Sequence, residues 1–287
     1  MPKDNKVLYD LVLIATCTNS KYVNRLLDSV ISNNQCVKVL FVLVLQNGSE
    51  AKYIENDFTH IAEIIIPNMI SLSKARNIAL EYLIDKDIFY RFIMFPDDDS
   101  SYDSHFFNSF IKEVKACSLI DVYGTNTNSL YRKSNLSNNQ KLSLLNYRNA
   151  MSVNMIIDYT TVEKVGFFDE NLGVGNYYGA GEDADYYIRC INAGASFYYL
   201  KSLWNFHPRD SNKNNQMSLS HLIKRYRSYG RGQIYMLLKH NLKFEALKCV
   251  FSALFGSIMA LFKLDLKLCF ARLYAFLVRL KTFLNNL

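Results

Sequence analysis

The chain has no CxxC pair and no cysteine–histidine cluster at zinc spacing. Its six cysteines, Cys17, Cys36, Cys117, Cys190, Cys249 and Cys269, are scattered. That argues against a disulfide framework and a structural zinc module, and fits a reducing compartment. No internal repeat is present. No signal peptide is expected either: the first apolar run, VLYDLVLIATC, contains Asp10 and lacks a basic leader followed by a cleavage site, so it reads as a buried strand. The longest apolar stretch near the C-terminus, Cys249 to Phe262, falls short of the roughly 20 residues a bilayer crossing takes, although shallow insertion stays open. Acids are scarce at that end. Residues 210–287 hold 3 Asp+Glu against 13 Lys+Arg, whereas residues 1–209 hold 23 against 20. A basic, apolar-rich tail suits an anionic membrane surface or a nucleic acid. Apolar residues outnumber charges there and aromatics do not interleave as stacking platforms, which sets nucleic acid aside.

What is present points to a sizeable core. Half of the 287 residues are hydrophobic, with 20 Tyr and 19 Phe. The first hundred residues alternate. DLVLIATC and KVLFVLVLQ suit strands buried on both faces, IAEIIIP a third and RFIMF a fourth. Between them, SKYVNRLLDSVISN and SLSKARNIALEYLIDK carry helical spacing, the latter with Ser71 or Ser73 as N-cap. This βαβ order predicts a mainly parallel sheet with helices on both faces, binding ligands beyond the carboxyl ends of its strands. Residues 125–149, rich in Asn and Ser, read as a loop excursion with no assigned role. From Ser218 the texture is helical, with Phe244, Leu247, Phe251, Leu254, Ile258 and Leu261 recurring about every 3.5 residues. The expected division is a catalytic domain over residues 1–212 and a basic amphipathic helical extension over 213–287. The extension rests on a membrane, packs on the catalytic domain, or forms an oligomer interface.

Four constellations carry chemistry. Asp97, Asp98 and Asp99 follow a buried strand directly, after Pro96. Three adjacent carboxylates repel, so they form either a solvated turn or an oxygen site for Mg²⁺ or Mn²⁺. In GAGEDADYYIRC, Glu182, Asp183 and Asp185 open a helix, where the dipole favours acids. The glycine-punctuated GVGNYYGAG before them suggests a mobile loop with a carboxylate at its edge, placed to act as a general base. Lys74 and Arg76 lie early in a helix and read as surface charge or as a diphosphate contact. His207 in WNFHP is a packed histidine, unless the chain returns to the aspartates and makes it a metal or phosphate ligand.

The ordered set LIATCTNSKYVNRLLDSV, VLQNGS, SLSKARNIAL, FIMFPDDDS, VGFFDENLG, GEDADYYIRCINAG and HP resembles the family 2 glycosyltransferases with the GT-A fold, over roughly residues 8–209. The FPDDD form resembles bacterial enzymes of capsule, O-antigen or lipooligosaccharide assembly. The resemblance implies roles. Thr16 would border the nucleotide pocket and Arg76 would approach the diphosphate. Asp97 and Asp99 would hold Mn²⁺ or Mg²⁺ against it, and Asp98 would contact the ribose. Asp183 would be the base, with Glu182 supporting it or meeting the acceptor, and His207 would join the metal or diphosphate. Many relatives carry Asp where this chain has Gln46. A glutamine there can still hydrogen-bond a uracil edge, with a donor as well as an acceptor. The implied activity is inverting transfer of a hexosyl or N-acetylhexosaminyl group from a UDP-linked donor to a surface-glycan acceptor, at the cytoplasmic face of the plasma membrane. The rival readings are a metal-dependent phosphotransferase or nuclease, and a non-catalytic sugar-binding scaffold.

Overall fold

A computed structural model describes residues 8–116, 122–128, 140–207 and 217–287, with backbone alone at 114–116 and 122–128. The chain divides into two compact units. The first is Met1–Ile70, Lys74–Phe167 and Tyr186–Pro208; the second is Ser71–Ser73, Phe168–Asp185 and Arg209–Leu287. The expected boundary at 212/213 lies outside the described residues.

The first unit is built on one sheet. Strand β1 (Leu8–Cys17) lies between β2 (Val39–Gln46) and β4 (Phe89–Met94), with β3 (Thr59–Ile66) beyond β2, and all four run parallel. Every residue of β2 is buried, which explains why its sequence is a continuous apolar run rather than an alternating one. Next to β4 comes β7 (Met155–Asp158), antiparallel to β4 and to β5 (Val122–Asn128). Strand β8 (Phe197–Phe206) then pairs parallel with β5, and the short β6 (Gln140–Leu142) closes the edge. The sheet order is β3-β2-β1-β4-β7-β5-β8-β6.

Helix α1 (Ser20–Asn33) places Val23, Leu26, Leu27 and Val30 against the sheet, and Asn19 caps it by accepting from the Lys21 N–H. Phe106, Phe107 and Phe110 of α3 (Ser104–Ala116) complete that core. Helix α2 (Leu72–Asp85) connects β3 to β4. Helix α4 (Tyr159–Val165) is capped by Asp158, and α5 spans Glu182–Asn192. Part of the Asn/Ser-rich stretch expected as loop is strand: β5 and β6 are held by backbone pairing to β8, which does not need apolar side chains. Residues 129–139 lie outside the described residues. Among the described residues, Cys17, Cys36, Cys190, Cys249 and Cys269 form no disulfide.

The second unit joins the loop Phe168–Gly181 to three helices, α6 (Leu219–Lys239), α7 (Lys243–Phe262) and α8 (Leu266–Asn285). Ser218 caps α6 and Asp265 caps α8. Helix α7 begins six residues before the apolar run starts, so it is 20 residues long, enough by length and composition to cross a membrane.

Candidate active site

Because β1, β2 and β4 run parallel, their carboxyl ends reach the same edge of the sheet, and the acidic triplet stands there. Phe95 and Pro96 are buried, and proline cannot continue the ladder, so the chain turns at once. The turn is closed by the Ser100 N–H donating to the Asp97 carbonyl at 2.9 Å. The next residue carries out the decisive pairing. Ser101 and Phe206 exchange two backbone hydrogen bonds, each 2.9 Å, at the end of β8. That bridge delivers His207 to the triplet. Its Nε2 lies 3.1 Å from Asp97 Oδ2 and 3.3 Å from Asp99 Oδ1. Ligand atoms of Asp97, Asp99 and His207 all fall within 4.8 Å of one another. Two carboxylates and an imidazole make a donor set that fits a divalent cation such as Mn²⁺ or Mg²⁺.

The remaining residues of this edge divide by role. Arg76 is not surface charge: it is only 2% exposed, and its Nη2 donates to Ser152 Oγ at 2.7 Å. The same nitrogen lies 3.4 Å from Asp97 Oδ1, so the guanidinium steadies the first aspartate from behind. Lys74, two residues earlier, is exposed. Thr16 is half-buried at the end of β1, in register with Val44. Burial pushes the neighbouring Cys17 thiol up, and the charge of Asp98 adds to it. Gln46 is buried at the end of β2, and its Oε1 accepts from the Ile70 N–H at 2.8 Å. Its amide NH₂ is the group it has left to offer a ligand.

The GED element belongs to the second unit. The loop before it is held by hydrogen bonds. Ser73 Oγ donates to the Leu172 carbonyl at 2.6 Å, the Leu72 N–H to Val174 at 2.9 Å, and Asn176 Nδ2 to Leu172 at 2.7 Å. Ser73 is thus buried inside the first turn of α2 and holds the loop instead of capping the helix. Gly173 and Gly175 have φ of 99° and 96°, and a Cβ on Gly175 would come within 3.0 Å of the Ser71 backbone. On the other side the loop rests on α6. Tyr178 stacks on Tyr235 with ring centroids 4.1 Å apart, and the Arg231 guanidinium sits 4.0 Å over Tyr177. Glu182 and Asp183 then open α5, where the helix dipole favours carboxylates; Glu182 is buried and Asp183 half-buried.

No protein-family model and no curated protein sequence matches the chain. Solved structures do. Staphylococcus aureus TarS 1-349 in complex with UDP-GlcNAc superimposes with a TM-score of 0.54 at 15% identity, over 77% of this chain and 65% of that one. Its complex with UDP gives 0.53 at 12% identity, over 96% and 90%. The longer S. aureus TarS structure gives 0.53 at 13% identity, over 80% of this chain and 43% of its own. TarS has the GT-A fold, and at these identities the likeness is one of fold. The chain has the GT-A fold.

In this GT-A chain's second unit, the partners of Asp185 had no signal in the sequence. Asp185 is fully buried, and its Oδ1 meets Lys239 Nζ at 2.7 Å and His240 Nε2 at 2.8 Å. Lys239 also reaches Asp169 Oδ2 at 2.6 Å. These four residues come from three separated segments, so no local spacing marks them. Burial alone would raise the Asp169 carboxyl, but Lys239 and the Asn171 N–H outweigh it and hold it below 3.8. Burial likewise opposes the charge on Lys239, and Asp169 and Asp185 overcome it, holding the amine above 10.5. The Asp169 contribution to stability is full above 3.8 and lost as pH falls through its lowered value; the Lys239 contribution is full below 10.5 and lost as pH rises through its raised value. The stability deficit of Asp169→Asn should thus be constant from about pH 5 to 9 and close as the solution turns more acid than the ordinary carboxyl value. Urea midpoints measured across pH test this; a deficit that grows on acidification would refute it.

Proposed function

We propose that this protein is an inverting, metal-dependent glycosyltransferase that moves a sugar from a UDP-linked donor to a hydroxyl of a bacterial surface glycan. The observation that carries the reading is the Asp97–Asp99–His207 cluster at a parallel-strand end, in a fold shared with a protein crystallised with UDP-GlcNAc and UDP. Asp97, Asp99 and His207 would hold Mn²⁺ or Mg²⁺. Bound there, the cation offsets the charge that builds on the leaving nucleotide diphosphate. Arg76 keeps Asp97 in place for that ligand set. Thr16 and Asp98 border the nucleotide, and the Gln46 amide donates to a carbonyl of the base. Asp183 takes the proton from the acceptor hydroxyl as the oxygen attacks the anomeric carbon opposite the leaving group, which inverts that centre. Glu182 supports Asp183 or contacts the acceptor.

Thermal denaturation with a set of nucleotide sugars, each with and without Mn²⁺, tests the reading. A UDP-sugar at a hundredfold excess over its Kd should stabilise the protein by about 2.7 kcal/mol, and only when metal is present. Asp99→Asn should lose that metal-dependent stabilisation while melting like the wild type without ligand. Stabilisation of equal size without metal, or none by any nucleoside diphosphate sugar, would overturn the assignment.

A further inference from the structure

Helices α7 and α8 are packed inside out. Along α7 the buried residues are Ala246, Val250, Ala253, Ser257 and Ala260; along α8 they are Ala271, Ala275 and Thr282. The large apolar side chains of α7, Phe244, Phe251, Phe255, Ile258, Met259 and Phe262, face outward. Phe270, Leu273, Leu277 and Leu284 do the same on α8. Polar groups occupy the contacts between the helices instead. Arg272 Nη1 donates to the Gly256 carbonyl at 3.0 Å, Arg279 Nη1 to the Cys249 carbonyl at 2.8 Å, and Arg279 Nη2 to Gln233 Oε1 of α6 at 2.7 Å. Ser257 Oγ donates to the Cys269 carbonyl at 2.8 Å. In water the hydrophobic effect drives the opposite arrangement. Small residues at helix contacts, polar groups turned inward and apolar bulk turned outward are what a lipid surrounding selects.

We infer that the outward face of α7 and α8 is embedded in the interfacial layer of an anionic phospholipid membrane. The charge supports this occupant: residues 210–287 carry 13 Lys+Arg against 3 Asp+Glu. Lys243, Lys248, Lys263 and Lys267 bracket the apolar part of α7, where long basic side chains can reach headgroup phosphates. The same lysines set the depth. Between Lys248 and Lys263 only the run Cys249–Phe262 is free of charge, which at about 1.5 Å per residue is shorter than the roughly 30 Å hydrocarbon layer. Length and mean composition would let the whole helix cross, but the lysines at both ends of the uncharged run favour a position along the surface. The end of the hairpin leads the contact, with Phe262 79% and Leu264 85% exposed. The inference does not depend on the donor chemistry proposed above.

Flotation of the full chain with vesicles tests it. The protein should float with phosphatidylglycerol–phosphatidylcholine vesicles, and less with phosphatidylcholine alone or in high salt. Phe255→Glu and Phe262→Glu, at sites already exposed, should each weaken partitioning by about tenfold or more without changing the melting temperature. Vesicle binding that survives both substitutions would overturn the inference. So would a protein that ignores vesicles and sediments as a dimer that Phe255→Glu makes monomeric, because a second copy would then cover the face.

Discussion

Asp183→Asn is expected to lower turnover by about 10²- to 10⁴-fold, the usual worth of a positioned general base, while the Kd of the donor stays within error of wild type. The substitution keeps the shape of the side chain and removes its ability to accept a proton. Asp183 stands half-buried in the first turn of α5, so it is open to an acceptor, and the change disturbs little of the fold. The lost charge at the helix N-terminus should lower stability by only about 0.3–1 kcal/mol. Catalysis and folding therefore separate cleanly. Single-turnover rates together with donor titrations measure the split. Glu182→Gln, at a buried neighbour, should give a smaller loss of rate. An Asn variant with wild-type turnover would remove Asp183 from the mechanism and say nothing against the Asp97–Asp99–His207 cluster.

Gly232→Ala should be the most damaging substitution outside the Asp97–Asp99–His207 cluster, and the reason is steric. A Cβ at this position of α6 would lie 2.1 Å from the Ala180 carbonyl oxygen and 2.6 Å from its nitrogen. Both obstacles are backbone, so no rotamer change relieves the clash; the loop or the helix must move. Overpacking of this kind costs about 1–3 kcal/mol, and the loss here should reach or exceed the top of that range. The loop that moves leads directly into Glu182 and Asp183, so turnover should fall together with the melting temperature. Gly230→Ala is the control within the same helix. Its Cβ would meet Arg279 Cγ at 3.2 Å, the stem of a flexible side chain. There the gain in helix propensity, about 0.8–1 kcal/mol, should offset the crowding. Calorimetry on the two variants decides: equal melting temperatures would mean that the loop yields at little cost.

Local patterning made the sheet legible, because the strands β1, β2 and β4 are apolar runs bounded by polar turns and carry their fate in their own residues. The triplet was legible for the same reason, since Pro96 and three acids directly follow such a run. His207 was legible only as a condition, because the Ser101–Phe206 bridge that brings it in joins residues far apart in the chain. The burial of Arg76 was not legible: its partner Ser152 is 76 residues away. In the helical extension the period was legible and the direction of the apolar face was not. A repeat of Phe251, Leu254, Ile258 and Leu261 marks a face as apolar but carries no record of which neighbour covers it. The structure gives the covered side to Ala246, Val250, Ala253, Ser257 and Ala260 instead.

The bridge between Ser101 and Phe206 also orders events during synthesis. Strand β8 is the last of the sheet, and its parallel pairing with β5 waits until the whole intervening chain has been made. At roughly 5–20 residues per second, the ribosome releases Asp97 and Asp99 several seconds before His207. Until then the two carboxylates lack the imidazole that stands beside them in the finished fold. A nascent or prematurely terminated chain would therefore hold its acids without the completed Asp97–Asp99–His207 cluster.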